Sequence, residues 1–566
     1  MKKTLTYIKP YAGKTALGLV LKFLGSAAEL VLPYVLSYII DDVIPTKNSA
    51  LIYGMGGVML GFALLALFGN IFANRLSAQV AGAMTHDLRY DLFRKTCYLK
   101  CRQTDEVTVP SLISRLTSDS YYVNQMVART MRMGVRAPIL LLGGLIFCFM
   151  LDVSLALVLL ATVPFVAAAI FFITRKTVPM YIKVQAGGDA MVRAVQEDIT
   201  GIRVIKALSK TEYEDARFEG VAGNLASTEY RAQCVMSLTN PLTTLILNIG
   251  LVAVIVVGAM LSDRPGVITG FLTYFTIVLN AMLGISKIFV VLSRGVASAS
   301  RIEQVLALDE REQVLPSLPA GDPSCAIEFR NVSFSYGGKE DNISHISFAL
   351  GRGQSLGIIG GTGAGKSTIV SLLLRFYDVT EGAVYVDGQD VRSVPPESLR
   401  KKFGAAFQND FLMAASVREN IDYGRGLADE QIIRAAKCAQ AWEFIEGLPG
   451  KLDYDLAQKA GNLSGGQKQR LLIARALAGD PEIIVLDDSS SALDYATDAA
   501  MRRAVAREYP GAAKVIVAQR VSSVKNCDLI LVLEDGVVSG IGTHRRLMQG
   551  CEEYRAIART QMGVAE

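Results

Sequence analysis

The run Ser355-Leu356-Gly357-Ile358-Ile359-Gly360-Gly361-Thr362-Gly363-Ala364-Gly365-Lys366-Ser367-Thr368-Ile369-Val370-Ser371-Leu372-Leu373-Leu374 decides the fold of the second half of the chain. An apolar strand leads into Gly360–Thr368, which fits the phosphate-binding pattern GxxxxGK[ST], and an apolar helix follows. Glycines let backbone N–H groups wrap a phosphate, and the helix N-terminus adds the positive end of its dipole. In that pattern Lys366 reaches the outer phosphates and Ser367 holds Mg²⁺. A second apolar run, Ile483-Ile484-Val485-Leu486, reads as a buried parallel strand. It ends on Asp487, placed to orient Mg²⁺ through water.

Working outward, residues 326–566 alternate short strands, turns and amphipathic helices, which predicts an α/β domain. Residues 307–325 are polar and Pro-rich and read as a linker, and residues 1–306 are of another kind. The whole chain is 51% hydrophobic and only 20% charged, with mean hydropathy +0.33. That excludes an ordinary soluble enzyme and predicts a membrane domain joined to a soluble one. A net charge of +5 from 58 basic and 53 acidic residues leaves no nucleic-acid footprint.

Six apolar stretches can cross a bilayer, at about 15–40, 51–74, 137–151, 153–174, 235–262 and 266–290. Ten Lys/Arg fall between Arg75 and Arg136 and nine between Arg175 and Arg231, while the opposite connections carry one, none and one. The positive-inside rule therefore places both long loops and both termini in the cytoplasm of a multi-pass cell-membrane protein. Lys2, Lys3, Lys9 and Lys14 would hold an amphipathic leading segment on the inner membrane surface.

Each long loop has about 60 residues, too many for a structureless connection. Both read as paired helices reaching into the cytoplasm, with tips expected near Pro110–Asp119 and near Ile205–Tyr213. Pro138, Pro164 and Pro241 are expected to kink their helices. Glu29 and Lys287 are costly in a span, so each either faces a water-filled path or is paired or snorkelled to the interface. The eight cysteines form no CxxC, and only three histidines exist, which argues against zinc. Cys97 and Cys101 are expected on one helix face as reduced thiols.

With Leu463-Ser464-Gly465-Gly466-Gln467 added to these motifs, the chain resembles an ATP-binding-cassette exporter half-transporter over nearly its full length. The resemblance implies an all-α membrane domain of six helices with long cytoplasmic extensions, followed by an α/β P-loop domain. It implies ATP and Mg²⁺ as cofactors. ATP would be cradled by Gly360, Gly361, Thr362, Gly363, Ala364, Gly365, Lys366, Ser367 and Thr368. Tyr336 would stack on adenine, and Ser367, Gln408 and, through water, Asp487 would hold the metal. Ser464, Gly465, Gly466 and Gln467 would face the nucleotide of a second cassette, and Asp494 would lie in the loop crossing between cassettes. The two loop tips would be coupling helices.

Three residues depart from the family pattern. Asp488 stands where efficient hydrolysers carry the general-base Glu, Gln519 stands at the switch-histidine position, and Gln458 replaces a common Glu before the signature. A base one methylene short misplaces its water contact, and about 1 Å of misplacement costs on the order of a hundredfold. The pattern resembles the degenerate subunit of a heterodimeric bacterial multidrug-type exporter. It implies a second, non-identical half-transporter, a lipid bilayer and a small amphipathic or peptide cargo. A subunit that senses ATP without coupled transport, or an importer of exporter shape, is the alternative left open by the residues alone.

Overall fold

The computed structural model describes Thr4 and residues 6–261, 264–309, 312–315, 318–338, 341–408, 411–489 and 492–562, the side chains of 261, 286, 287 and 562 excepted. Lys2, Lys3, Asn409, Ser491 and the Lys287 side chain lie outside these. The chain divides into two compact units, Met1–Cys97 with Thr108–Leu308, and Tyr98–Val107 with Asp309–Glu566.

The first unit is all helical. Among the described residues six helices are long and apolar enough to cross a membrane. They contain α1 (Ala12–Tyr38), α2 (Ser49–Cys97), then Val109–Leu151, α3 (Val153–Ala207), α4 (Thr211–Ser237) continued by α5 (Thr239–Leu261), and α6 (Pro265–Leu306). Large apolar side chains such as Phe165 and Phe172 stay exposed on the spans, as lipid-facing residues should. The spans pack on one another through Phe271, Tyr274 and Val278. Tyr274 stacks on Phe147 and donates to the Leu30 carbonyl.

The charges inside the first span find partners on neighbouring helices. Arg136 Nη2 donates to both Glu29 oxygens at 2.6 and 2.9 Å. Lys22, buried, donates to Asn70 Oδ1 at 2.8 Å and Asn74 Oδ1 at 3.2 Å. Glu29 is thus an interhelical ion pair. Pro138 and Pro164 lie inside helices, Pro138 just after a π-helical turn at Thr130–Gly134. Pro241 falls in the first turn of α5, where its missing N–H costs nothing.

The first tip is not where the sequence suggested. Helix α2 ends at Cys97, a short helix Cys101–Val107 forms the tip, and the chain turns back through Thr108 at φ 67°. Pro110 sits in the first turn of the returning helix Val109–Ser114, a position its fixed φ favours, so Pro110–Asp119 belongs to the return and not the tip. The same break separates Cys97 from Cys101, ending the shared helix face; all eight cysteines are free. The second tip, between Ala207 and Thr211, falls inside the expected stretch.

The helical extensions are tied by buried charge. Arg301 of α6 donates from Nε to Asp119 Oδ2 at 2.9 Å and pairs through Nη2 with Oδ1. Burial alone would raise the Asp119 carboxyl, but Arg301, Ser298 and Arg115 outweigh it and hold it below the ordinary value. Removing Arg301 strands a carboxylate that is 2% exposed. Because the arginine itself is half exposed, Arg301→Ala is expected to cost about 2–3 kcal/mol. In detergent this lowers the thermal unfolding midpoint by several degrees, with part recovered in Arg301→Lys.

The second unit is α/β. An antiparallel sheet runs β2 (Ile343–Gly351), β1 (Cys325–Phe334), β4 (Glu381–Val386), β5 (Gln389–Asp390). A six-stranded sheet runs β10 (Val537–Gly542), β9 (Leu529–Glu534), β3 (Ser355–Gly360), β8 (Ala513–Val517), β7 (Ile483–Asp487), β6 (Phe403–Ala406). All neighbours in the second sheet are parallel except β10 on β9. Strand β7 is buried at every residue, which explains its unbroken apolar run.

Candidate functional site

Strands β3 and β7 both pair with β8, so their C-terminal ends open on the same side of the sheet. That edge is where ligands bind in such sheets. After β3 the chain turns through Gly363 at φ 86° and Gly365 at φ 92° into helix α7 (Lys366–Leu373). A Cβ on Gly365 would stand 2.5 Å from Ile343 Cγ2, and one on Gly360 would stand 2.2 Å from the Leu533 carbonyl. Both positions need glycine for space, and Gly365 for its backbone conformation as well.

Lys366 Nζ donates to the Gly360 and Gly361 carbonyls at 2.9 and 2.6 Å, across the mouth of the loop. Burial lowers its pKa, and the negative charges of Asp488 and Asp487 work against that. Ser367 Oγ donates to Asp487 Oδ1 at 3.3 Å. Burial raises the Asp487 carboxyl, the neighbouring Asp488 charge adds to it, and Ser367 and Lys366 oppose it. Among the described residues no group of three His, Cys, Asp or Glu is set to hold a metal alone. The Ser367 hydroxyl and Asp487 carboxylate are hard oxygen donors, which fit Mg²⁺ completed by phosphate and water.

Asp488 follows in the left-handed region at φ 46°, a conformation Asp tolerates better than most residues. Its N–H donates to the Val517 carbonyl at 2.9 Å, extending the β7–β8 ladder. Its Oδ2 receives two amide N–H groups, from Gln408 Nε2 at 3.1 Å and Gln519 Nε2 at 2.9 Å. Burial raises this carboxyl, while Lys366, Gln519 and Arg520 pull it back. The sequence-predicted Gly360–Thr368, Gln408, Asp487, Asp488 and Gln519 therefore meet in one place.

The signature run lies elsewhere. Ser464 caps helix α8 (Gly465–Leu477), accepting from the Gln467 N–H while Gln467 Oε1 accepts from the Ser464 N–H. Gly465 and Gly466 pack on Ala492. Asp494 caps α9 (Tyr495–Glu508), accepting from the Thr497 N–H and hydroxyl. Tyr336 is 45% exposed beside Phe334 and Tyr377. Gln458 is exposed in a short 3₁₀ turn.

Sequence reasoning missed Gln469. Buried on α8, it donates to the Asp488 carbonyl at 3.4 Å and accepts from the Ala492 N–H at 2.9 Å. It thereby ties the carboxylate strand to the loop before Asp494. A glutamine on the inward face of a buried helix was the available signal.

The family model for the ABC transporter transmembrane region matches residues 15–282, and that for the ABC transporter matches residues 343–491. The uncharacterized ABC transporter ATP-binding protein YfiB of Bacillus subtilis is 32% identical over 571 residues, covering 100% of this chain and 99% of its own length. The chain belongs to the ABC transporter family. Its membrane and ATP-binding regions are fused in one half-transporter. Rv1273c of Mycobacterium tuberculosis, another uncharacterized member, is 33% identical across 98% of this chain and 97% of its own. The ATP-dependent lipid A-core flippase of Vibrio cholerae is 28% identical across 99% and 98%. A solved bacterial Atm1-family ABC exporter with ATP bound shares the fold at TM-score 0.82 and 23% identity, over 98% of this chain and 99% of that one. The chain is thus an ABC transporter with the fold of that exporter, and its second unit carries the family's ATP-binding region.

Proposed function

We propose that this chain is the slow half of a heterodimeric exporter, whose own ATP site binds nucleotide and hydrolyses it poorly. One observation carries the reading: Asp488, one methylene shorter than glutamate, has its Oδ2 occupied by the amides of both Gln408 and Gln519. A carboxylate oxygen that accepts two N–H bonds is a weak acceptor for a water proton. Gln519 donates but cannot take up a proton as histidine does.

In this reading Lys366 and the P-loop N–H groups hold the phosphates, Tyr336 carries adenine, and Ser367, Gln408 and Asp487 hold the cation. Bound Mg²⁺ neutralises phosphate charge. Ser464–Gln467 completes the site of a non-identical partner, where most hydrolysis occurs, and Asp494 stands near the join. ATP closes the cassettes because it binds the closed pair more tightly than the open one. The two cytoplasmic tips carry closure to the spans. Both termini are cytoplasmic, from the distribution of Lys and Arg. The cargo is amphipathic, drawn from the apolar spans.

In the purified two-chain transporter, Asp488→Asn is expected to reduce ATPase less than about threefold, because a base already weak by geometry has little left to lose. The Glu→Gln change in the partner's Walker B motif is expected to remove nearly all of it. Equal damage from the two changes would sink the unequal-site reading, and brisk ATPase by this chain alone would remove the need for a partner.

A further inference from the structure

The helix Cys101–Val107 is joined covalently to the membrane unit at both ends yet folds with the ATP-binding unit. It is held locally: Lys100 N–H donates to Gln103 Oε1 at 3.1 Å, and Thr104 N–H to the Lys100 carbonyl at 3.0 Å. Two side chains fasten it to the second unit. Gln103 Nε2 donates to the Asp309 carbonyl at 2.9 Å. Tyr377 Oη donates to Asp105 Oδ2 at 2.5 Å.

Tyr377 stands four residues beyond the end of the P-loop helix α7, on a segment with little freedom. Arg375, buried and at φ 51°, donates to the Gln313 carbonyl at 2.7 Å and to the Val391 and Val394 carbonyls. Phe376 N–H donates to the Ser371 carbonyl at 2.8 Å, and the Arg400 guanidinium lies 5.4 Å over the Phe376 ring. The backbone under Tyr377 is therefore fixed to α7 and to the linker.

Its ring belongs to a three-ring cluster. Tyr336 meets Tyr377 edge-on, centroids 4.9 Å apart at 87°, and meets Phe334 at 4.8 Å and 87°. Phe334 and Tyr377 are 5.6 Å apart. Edge-to-face packing at these separations couples ring orientations, since neither tyrosine can swing without the other yielding. Tyr336 is the exposed member, free to present a face to a planar base.

We propose that Tyr377 is a positioning residue that links adenine on Tyr336 to the membrane-connected helix Cys101–Val107. The link rests on the reading of Tyr336 as the adenine platform. A stacked base holds the Tyr336 ring, Tyr336 holds Tyr377, and the Tyr377 hydroxyl holds Asp105. Burial and the Asp105 bond raise the hydroxyl pKa, so it remains a donor throughout the neutral range. Occupancy of the base site is thereby felt by the helix independently of the phosphates, and ATP orders this tip where inorganic triphosphate does not.

The test uses the full two-chain transporter in lipid nanodiscs, with peptide-resolved hydrogen–deuterium exchange of residues 98–107 and equilibrium binding of a fluorescent ATP analogue. Mg-ATP is expected to slow exchange of 98–107 at least fivefold, and Mg-triphosphate less than twofold. Tyr377→Phe keeps the ring and removes only the hydroxyl: nucleotide affinity stays within twofold while the ATP-dependent slowing is lost. Asp105→Ala does the same, and Asp105→Asn, which keeps an accepting oxygen, restores it. A merely structural tyrosine would not show that rescue. Slowing that survives Tyr377→Phe overturns the proposal, as does a tenfold loss of affinity in that variant. Tyr336→Ala separates the underlying reading: its affinity should fall at least tenfold, and an unchanged affinity would overturn the adenine platform and the link together.

Discussion

Lys366→Ala lowers the affinity of this chain's own site for Mg-ATP about a hundredfold, measured as equilibrium binding of a fluorescent ATP analogue. The lysine is the cation among the groups that meet at the loop mouth, facing the buried Asp487 and Asp488. In the structure its ammonium spans the Gly360 and Gly361 carbonyls. Meeting outer phosphates exchanges those neutral acceptors for charged ones, each charge-assisted bond contributing about 1.5–3 kcal/mol. Part is spent in leaving the carbonyls, so a net loss of about 2–3 kcal/mol is expected, or roughly two decades at 1.36 kcal/mol each. The alanine also leaves two carboxylates facing an incoming polyanion with less to offset them. Lys366→Arg should not restore binding, because a planar fork cannot replace a compact ammonium within a loop this tight. Thermal stability should barely move, since the side chain caps no apolar core. Binding within threefold of the original would mean the loop does not hold phosphate through Lys366.

Why was so much of this site legible before any fold was known? The P-loop is local: strand, glycines, lysine and helix lie within twenty consecutive residues, so their geometry follows from the chain itself. The same holds for the apolar Ile483–Leu486 run with its terminal carboxylate, since a strand buried on both faces has no other composition. The spans were readable because lipid imposes a length and an apolar content that little else in a sequence imitates. The ion pair of Glu29 was not. Its meaning depended on Arg136, 107 residues away, and only packing brings the two together. The first tip failed for a local reason: Pro110 looked like a turn but fits a helix start equally well, and the sequence does not choose between them.

The unread residues share one feature, which is that each acts across two elements. Gln469 joins α8, the Asp488 carbonyl and the loop at Ala492. Tyr377 joins the P-loop helix, the Tyr336 ring and Asp105. Neither sits in a motif that spacing alone makes conspicuous. The left-handed backbone at Asp488 was equally silent, although it decides where that carboxylate points.

That orientation sets the second large effect. On the proposed unequal-site arrangement, with the partner carrying the silencing Glu→Gln change, Asp488→Glu with Gln519→His should raise ATPase ten- to a hundredfold above the silenced level. The longer side chain adds the missing methylene, and proton acceptance from a positioned water is worth about 10²–10⁴ in rate when geometry is met. The single changes should fall short for different reasons. Asp488→Glu alone leaves Gln519 Nε2, now 2.9 Å from the carboxylate, competing for the oxygen that must take the proton. Gln519→His alone removes that competitor but leaves the base short. The two residues touch, so their effects should exceed the product of the single changes, a coupling of at least threefold. Release of radiolabelled phosphate from Mg-ATP, with nucleotide affinity measured alongside, separates faster chemistry from tighter binding. If the double change leaves turnover at the silenced level, the slow site owes its slowness to something other than these two side chains. Closure geometry supplied by the partner's signature would then be the next place to look.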